Sequence, residues 1–466
     1  MSDIPIPVEY RADIIAQLFD LLRAGESCAL VGVGSSGKSN IARHIARADV
    51  RQHYLGEAAA HTVILRLNCK PYALRPLPDF YIYILDEIDP VLQELDGPFS
   101  AIRPDIASLS REAQTYPDHL ALRRLDRALG AIVRSGAKNV MLILDDCDQL
   151  FTEGPGVLFS DLRGLRDNYK GILAYLTLTR HEPVFLRKDA REYEEFFELI
   201  SPPGHTWPLR PYQPADGIHM IQRLGARQTP PRVLSEAAAL RLHQMGGGHA
   251  GLMRTLFFLT QSKTGILPPE TAEGMAAEAD VRGECRKILD SLEEDERLDL
   301  FRIANGMTPS PEGEYRLERR GLIQPRSASR RLPEMFSPVF AEALTFLEAE
   351  MLGEGAPPPV EPPPPVNQSQ IEFIEFGHHV RVNGHLLTSL TPAEHALLQC
   401  LAERRPHACT RAELIEVMVA VEHTLEHKPH GRPDHRFTQA VDHLQLKLGL
   451  TGPTIQTERD QFKLVG

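Results

Sequence analysis

What this sequence lacks narrows its class before any motif is read. No apolar run approaches the length that spans a bilayer, which excludes a helical membrane protein, and the stretch from Met1 to Pro7 has neither the basic residues nor the apolar core of a secretory leader. The expectation is a cytoplasmic chain with no membrane partner. Six cysteines (Cys28, Cys69, Cys147, Cys285, Cys400 and Cys409) are scattered without CxxC spacing, which fits reduced thiols rather than a disulfide framework or a zinc site. Basic residues are in the minority: 51 Lys and Arg stand against 63 Asp and Glu, a formal net charge of −12. A protein coated in nucleic acid by clustered cations is thereby excluded, and any DNA contact must be local. What remains has 42% hydrophobic and 24% charged residues, the balance of a folded protein, and at 466 residues exceeds a single core.

The most informative stretch is Ser27-Cys-Ala-Leu-Val-Gly-Val-Gly-Ser-Ser-Gly-Lys-Ser39, an apolar strand running into a glycine-rich turn and then Lys-Ser. Ile41, Ala42, Ile45 and Ala46 follow at helical spacing. The pattern reads as a phosphate-binding loop. Gly32, Gly34 and Gly37 let the backbone turn its N–H groups toward an anion at the positive end of a helix, Lys38 reaches the β- and γ-phosphates, and Ser39 ligates Mg²⁺.

A second apolar strand, Val140 to Leu144, ends in Asp145-Asp146, and a parallel sheet brings such strand ends beside the loop. Asp145 would complete the Mg²⁺ shell and Asp146 orient or deprotonate the attacking water. A third strand, Ile172 to Leu178, stops at Thr179-Arg180, which makes Arg180 either a phosphate sensor or a solvated strand-end arginine. Gly246-Gly247-Gly248-His249 lies between helical stretches, where His249 either meets a β-phosphate or is incidental to a glycine-rich connection. Arg163 and Arg166 are open to two readings, an arginine finger for a neighbouring subunit or surface ion pairing.

Together these residues resemble the STAND class of the AAA+ ATPases over roughly residues 5–348. The resemblance implies an α/β P-loop NTPase core with a parallel sheet (1–210), a helical lid (211–279) and a winged helix (280–348). Pro7-Val-Glu-Tyr-Arg-Ala-Asp13 is similar to the family's N-terminal motif that usually reads Gly-Arg-Glu, with Arg11 retained as a nucleotide contact and Tyr10 in place of the glycine. Thr179-Arg180 sits where the family has its sensor arginine. No Asn-Lys-x-Asp guanine motif occurs, so ATP and ADP with Mg²⁺ are the expected ligands rather than GTP. Arg326, Arg330 and Arg331, in a basic stretch of the middle winged helix, face three readings: DNA contact, a solvated wing, or an arm pressed on the ATPase core.

Ala356 to Pro365 is a proline run that cannot form helix or central strand and reads as a semi-rigid spacer within a linker at 349–369. Beyond it, Phe373–Phe376 and Val380–Leu387 read as strands, the second turning at Asn383-Gly384. Thr391-Pro392-Ala393-Glu394 and Thr410-Arg411-Ala412-Glu413 are capping boxes, Phe437, Val441, Leu444 and Leu448 make one buried helical stripe, and Thr454–Leu464 closes as a hairpin. This order, with Leu390-Thr-Pro-Ala-Glu394, resembles the OmpR/PhoB-type α+β winged helix-turn-helix domain over about residues 370–466. That resemblance implies a third helix in the major groove of double-stranded DNA, presenting Arg436, Gln439, His443 and Lys447. The chain departs from the family in having Asp442-His-Leu-Gln-Leu446 where arginines are common, and Asp460-Gln461 at the turn where glycine is usual.

The leading expectation is an ATP-dependent switch and slow ATPase that regulates transcription through the C-terminal domain, with a homo-oligomer forming on ATP binding. The alternative is a STAND-type signalling or antiphage-defence scaffold whose last domain docks a protein effector. A third, a replication- or transposition-type ATPase loading on DNA, would need the middle arginines.

Overall fold

The computed structural model describes residues 4–95, 97–115, 120–187, 191–202, 204–229, 231–260, 271–326 and 332–352, then 371–374, 379–382, 385–387, 390–404, 407–422, 437–438, 440–441, 444–445, 448, 454–458 and 461–465. The chain divides into two compact units, Met1–Glu348 and Ala349–Gly466.

Five strands form the spine of the first unit: β1 (Cys28–Val31), β2 (Thr62–Asn68), β3 (Asn139–Asp145), β4 (Leu173–Thr179) and β5 (Thr206–Pro208). They make a parallel sheet in the order β2-β3-β4-β1-β5. Near-continuous apolar runs dictate this arrangement, since a parallel strand is covered on both faces and every residue of β1, β3 and β4 is buried. Alternate residues serve two cores. Ile64, Met141, Ile143, Leu176 and Leu178 point into one; Val63, Leu65, Leu67, Val140, Leu142, Leu144 and Tyr175 point into the other.

The second core is covered by helices that the sequence reading did not anticipate, Leu77–Leu95, Arg103–Thr115 and Ala121–Arg134, all inserted between β2 and β3. The first core joins the loop's own helix, Lys38–Ala46, to three helices of the expected lid, Pro214–Ala226, Glu236–Gly246 and Ala250–Leu259. It continues into Ala279–Leu289, Glu294–Ala304 and Pro311–Arg319, and into the antiparallel ribbon of β6 (Ile323–Gln324) and β7 (Glu334–Met335). One apolar core therefore runs from the loop after β1 to the ribbon.

In the second unit, β8 (Ile371–Ile374), β9 (His379–Val382) and β10 (His385–Leu387) form an antiparallel sheet in the order β10-β9-β8. The segments β11 (Cys409–Thr410), β12 (Thr454–Glu458) and β13 (Gln461–Val465) form another in the order β11-β13-β12. Helix Pro392–Glu403 starts at a complete capping box: Thr391 N–H donates to Glu394 Oε2 at 2.7 Å and Glu394 N–H to Thr391 Oγ1 at 3.2 Å. Helix Arg411–Glu422 starts the same way on Thr410 and Glu413. Phe437, Val441, Leu444 and Leu448 are buried with Leu397, Leu401, Met418 and Phe462 in one core. Asn383-Gly384 and the Pro-rich run Ala356–Pro365 lie outside the described residues. Among the described residues no helix is long and apolar enough to cross a membrane.

Candidate nucleotide-binding site

The loop between β1 and helix Lys38–Ala46 turns through two left-handed residues, Ser35 (φ 56°) and Gly37 (φ 97°). Gly37 is required on two counts, its dihedral and its surroundings, because a Cβ there would lie 2.8 Å from Tyr212 Oη. Gly32 fixes the loop to the sheet, its N–H donating to the Thr179 carbonyl at 3.0 Å. Lys38 opens the helix and folds back over the loop, its Nζ donating to the carbonyls of Gly32 at 2.5 Å and Val33 at 3.1 Å. Burial pulls its pKa down to about 8, opposed first by the negative charge of Asp148.

Ser39 Oγ donates to Asp145 Oδ1 at 3.0 Å across 106 residues of sequence. Parallel pairing does this: β1 and β3 flank β4, so the end of β3 faces the first turn of the loop helix. The Asp145 carboxyl is raised above the usual carboxylate range by burial, against which the Ser39 hydrogen bond and the Arg66 charge work. Asp146 is left-handed (φ 54°). Its carboxylate lies 3.4 Å from Arg180 Nη2 and 3.9 Å from Lys70 Nζ. Arg180, half exposed, thus stands with Asp146 at the end of β4.

A third aspartate completes the strand ends and was not singled out from sequence. Asp148 Oδ1 accepts from the N–H groups of Arg180 at 2.8 Å and His181 at 3.4 Å, locking the turn after β3 to the turn after β4. The run Asp145-Asp-Cys-Asp148 carried that signal. Its other oxygen, Oδ2, is buried without a hydrogen-bond partner, as are Ser36 Oγ in the loop and Thr179 Oγ1 at the end of β4. Buried polar atoms of a folded chain are normally satisfied. Three unpartnered oxygens, in the loop, at the end of β4 and just after β3, fit a site completed by a polyanion and its hydrated cation.

The remaining expected contacts are placed as follows. His249 is buried, and both ring nitrogens serve the protein: Nδ1 caps helix Ala250–Leu259 by accepting from Leu252 N–H at 3.1 Å, so Nε2 carries the proton and donates to the Gly34 carbonyl at 2.9 Å. Burial lowers its pKa, in keeping with a neutral ring. Arg11 is buried in a left-handed turn, donates to the Arg210 carbonyl at 2.9 Å and lies over the Tyr212 ring, while Tyr10 Oη and Tyr212 Oη are hydrogen-bonded at 2.7 Å. Arg163 donates to the Glu195 carbonyl at 2.6 Å, and Arg166 is buried with Nη2 3.5 Å from Glu26. Arg326 is paired with Glu314 at 2.6 Å. Arg330, Arg331 and the four expected base-reading residues, Arg436, Gln439, His443 and Lys447, lie outside the described residues.

No protein-family model matches the chain, and no curated protein does. Among solved structures it is similar to a Walker-type ATPase of Pyrococcus abyssi, at 16% identity and a TM-score of 0.43 over 72% of this chain and 96% of that one. It is also similar to the Aeropyrum pernix ORC2 protein, solved as ADPNP–ADP complexes, at 14% identity and a TM-score of 0.36 over 75% of this chain and 98% of that one. The Aeropyrum pernix ORC1 protein in complex with DNA matches at 13% identity and a TM-score of 0.31 over 100% of this chain and 90% of that one. Likeness at this level says nothing of activity.

Proposed function

We propose that the first unit is an AAA+ ATPase core of the STAND type, a switch set by ATP and ADP, and that the second is a winged helix-turn-helix domain through which the switch regulates transcription. The Ser39–Asp145 hydrogen bond carries the reading, because it joins the Lys-Ser of a glycine-rich loop to an acidic strand end in the pairing that a magnesium–triphosphate needs. Ser39 and Asp145 would hold Mg²⁺, which would supply charge neutralisation to the phosphates. Gly34, Gly37 and Ser39 would offer backbone N–H groups and Lys38 its ammonium. Asp146 orients water, and Arg180 reads the terminal phosphate once released from Asp146. Arg11 acts at one remove, fixing Tyr10 and Tyr212 beside Gly37. His249 holds the loop through Gly34.

Differential binding of ATP and ADP biases such a switch because ADP lacks the group that Lys38 and Arg180 would hold. The domain limits proposed are 1–210 for the core, 211–279 for the lid, 280–348 for the middle winged helix and 370–466 for the DNA-binding domain, after a linker at 349–369. Lys38→Ala should abolish ATP binding and hydrolysis; normal turnover in that variant would remove the assignment.

A second reading, a scaffold whose last domain docks a protein, is favoured by the net charge of −12. Pull-down from lysate with and without nuclease separates the two, since a protein partner survives digestion of DNA.

A further inference from the structure

Two side chains beyond the lid touch the phosphate loop, and nothing in the sequence pattern marks them. We propose that Glu284 and Ser291 form a latch closing the middle module onto the phosphate loop, and that the terminal phosphate of a bound nucleoside triphosphate opens it by taking the Ser291 bond and repelling the Glu284 carboxylate. The proposal rests on the nucleotide reading of the loop.

The Gly34 N–H, one of the amides such a loop aims at phosphate, donates instead to Ser291 Oγ at 2.7 Å, and Ser291 in turn donates to the Lys287 carbonyl at 2.7 Å. One amide hydrogen serves one strong acceptor, so a phosphate oxygen arriving at Gly34 displaces the serine. The approach is close: a Cβ on Gly34 would lie 2.7 Å from the Lys287 carbonyl oxygen.

Glu284 is 6% exposed. Its Oε2 takes the Lys287 ammonium at 2.8 Å, and its Oε1 is buried against Ser35 and Gly251 without a geometrically complete hydrogen bond. The carboxylate is held beside the loop chiefly by the half-exposed Lys287 ammonium, with the Ser35 hydroxyl beside its other oxygen. A triphosphate brings several negative charges into the same low-dielectric space, where like charges repel far more strongly than in water. ADP, one phosphate shorter, brings less charge to Gly34 and Ser35.

The latch also has something to move. Ser291 leads through the Glu293–Glu296 capping box into helix Glu294–Ala304. Glu296 pairs with Arg320 at 2.9 Å, both buried, and Arg320 Nη1 donates to the Arg180 carbonyl at 3.2 Å. His181 Nδ1 meets Glu293 Oε1 at 2.9 Å. The middle module thus meets the core at several points, and two of them, Gly34 and Arg180, are residues that would meet the nucleotide.

Hydrogen exchange of the full chain, followed by mass spectrometry over residues 279–292 without nucleotide, with ADP and with a non-hydrolysable ATP analogue, tests this alongside calorimetric affinities. In the wild type, exchange in the segment should rise with the ATP analogue and stay at the resting level with ADP. Glu284→Gln, which keeps shape and removes charge, should bind the analogue about five-fold or more tightly, the lower edge of ordinary coupling between sites, and lose the rise. Ser291→Ala should show raised exchange with no nucleotide present. Wild-type chain that binds the analogue with unaltered exchange, or a Glu284→Gln variant that binds no tighter, overturns the latch alone. Absence of binding to either nucleotide overturns the site reading and the latch with it.

Discussion

Lys38 and Asp145 are the two charges whose burial most shapes the site, and each makes a prediction. The Lys38 pKa is lowered to about 8 from 10.5, so between these values the unfolded chain binds more protons than the folded one, and stability from this group rises with pH across that window. A triphosphate restores the proton. Calorimetry of ATP binding in buffers of different ionisation enthalpy should show uptake of about half a proton at pH 8, near zero at pH 6.5. No buffer dependence at pH 8 would contradict the environment assigned to Lys38. For Asp145 the shift is upward, so the folded state holds the proton more tightly, and stability from this group falls as pH rises through the raised value. Asp145→Asn, which can still accept from Ser39, should leave the apo Tm at pH 7 no lower than wild type yet abolish stabilisation by Mg²⁺-ATP. A Tm lowered by several degrees would show that the carboxylate charge itself is needed by the resting fold. At this scale the meeting of Ser39 with Asp145 was legible, because each closes a short local pattern and parallel pairing brings the two together. Glu284 and Ser291 were not, because their roles come from where a later helix lands.

Among elements, the contact of helix Ala250–Leu259 with the loop depends on Gly251. Its N–H donates to the Ser35 carbonyl at 3.0 Å, and a Cβ there would collide with the Glu284 carboxylate and lie 2.5 Å from Ser35 Cβ. Helix propensity favours alanine by about 1 kcal/mol, but the overlap with Ser35 involves no flexible tip and wins. Gly251→Ala should therefore lower stability by about 1–3 kcal/mol in denaturant melts. Gly164→Ala, in the exposed middle of helix Gly156–Asn168 with nothing within 4 Å, should raise it by about 0.5–1 kcal/mol. Opposite signs in this pair would contradict the packing described. Arg320→Ala should cost about 3–5 kcal/mol, because it strands a carboxylate that is 0% exposed. Strand β1 was legible as an apolar run into a glycine-rich turn, β3 and β4 as apolar runs ending in polar residues, and the capping boxes of the second unit as four-residue patterns. The helices between β2 and β3 were not legible as part of the site, because their amphipathic spacing serves packing and carries no residue pattern that points to chemistry.

For the whole molecule, the proposed DNA-binding reading must rest on a few cations of the second unit, because the chain carries a net charge of −12. Fluorescence anisotropy with double-stranded DNA should show affinity falling with salt, and about ten-fold weaker binding for Arg436→Ala with a salt slope reduced by about one. Absence of binding in every nucleotide state would favour a protein partner. The proline run Ala356–Pro365, read as a spacer, lies outside the described residues. The continuous core from loop to ribbon was not legible, because the apolar residues of 211–348 look alike in sequence whether they pack on each other or on the parallel-sheet domain.

One measurement bears on all of this: isothermal calorimetry of Mg²⁺-ATP against the full chain, the Lys38→Ala variant and the Asp145→Asn variant. Saturable heat at one site per chain, lost with Lys38→Ala and sharply reduced in its Mg²⁺ dependence with Asp145→Asn, is the predicted result. A wild-type chain that gives no heat, or a Lys38→Ala chain that binds as well as wild type, would contradict the account.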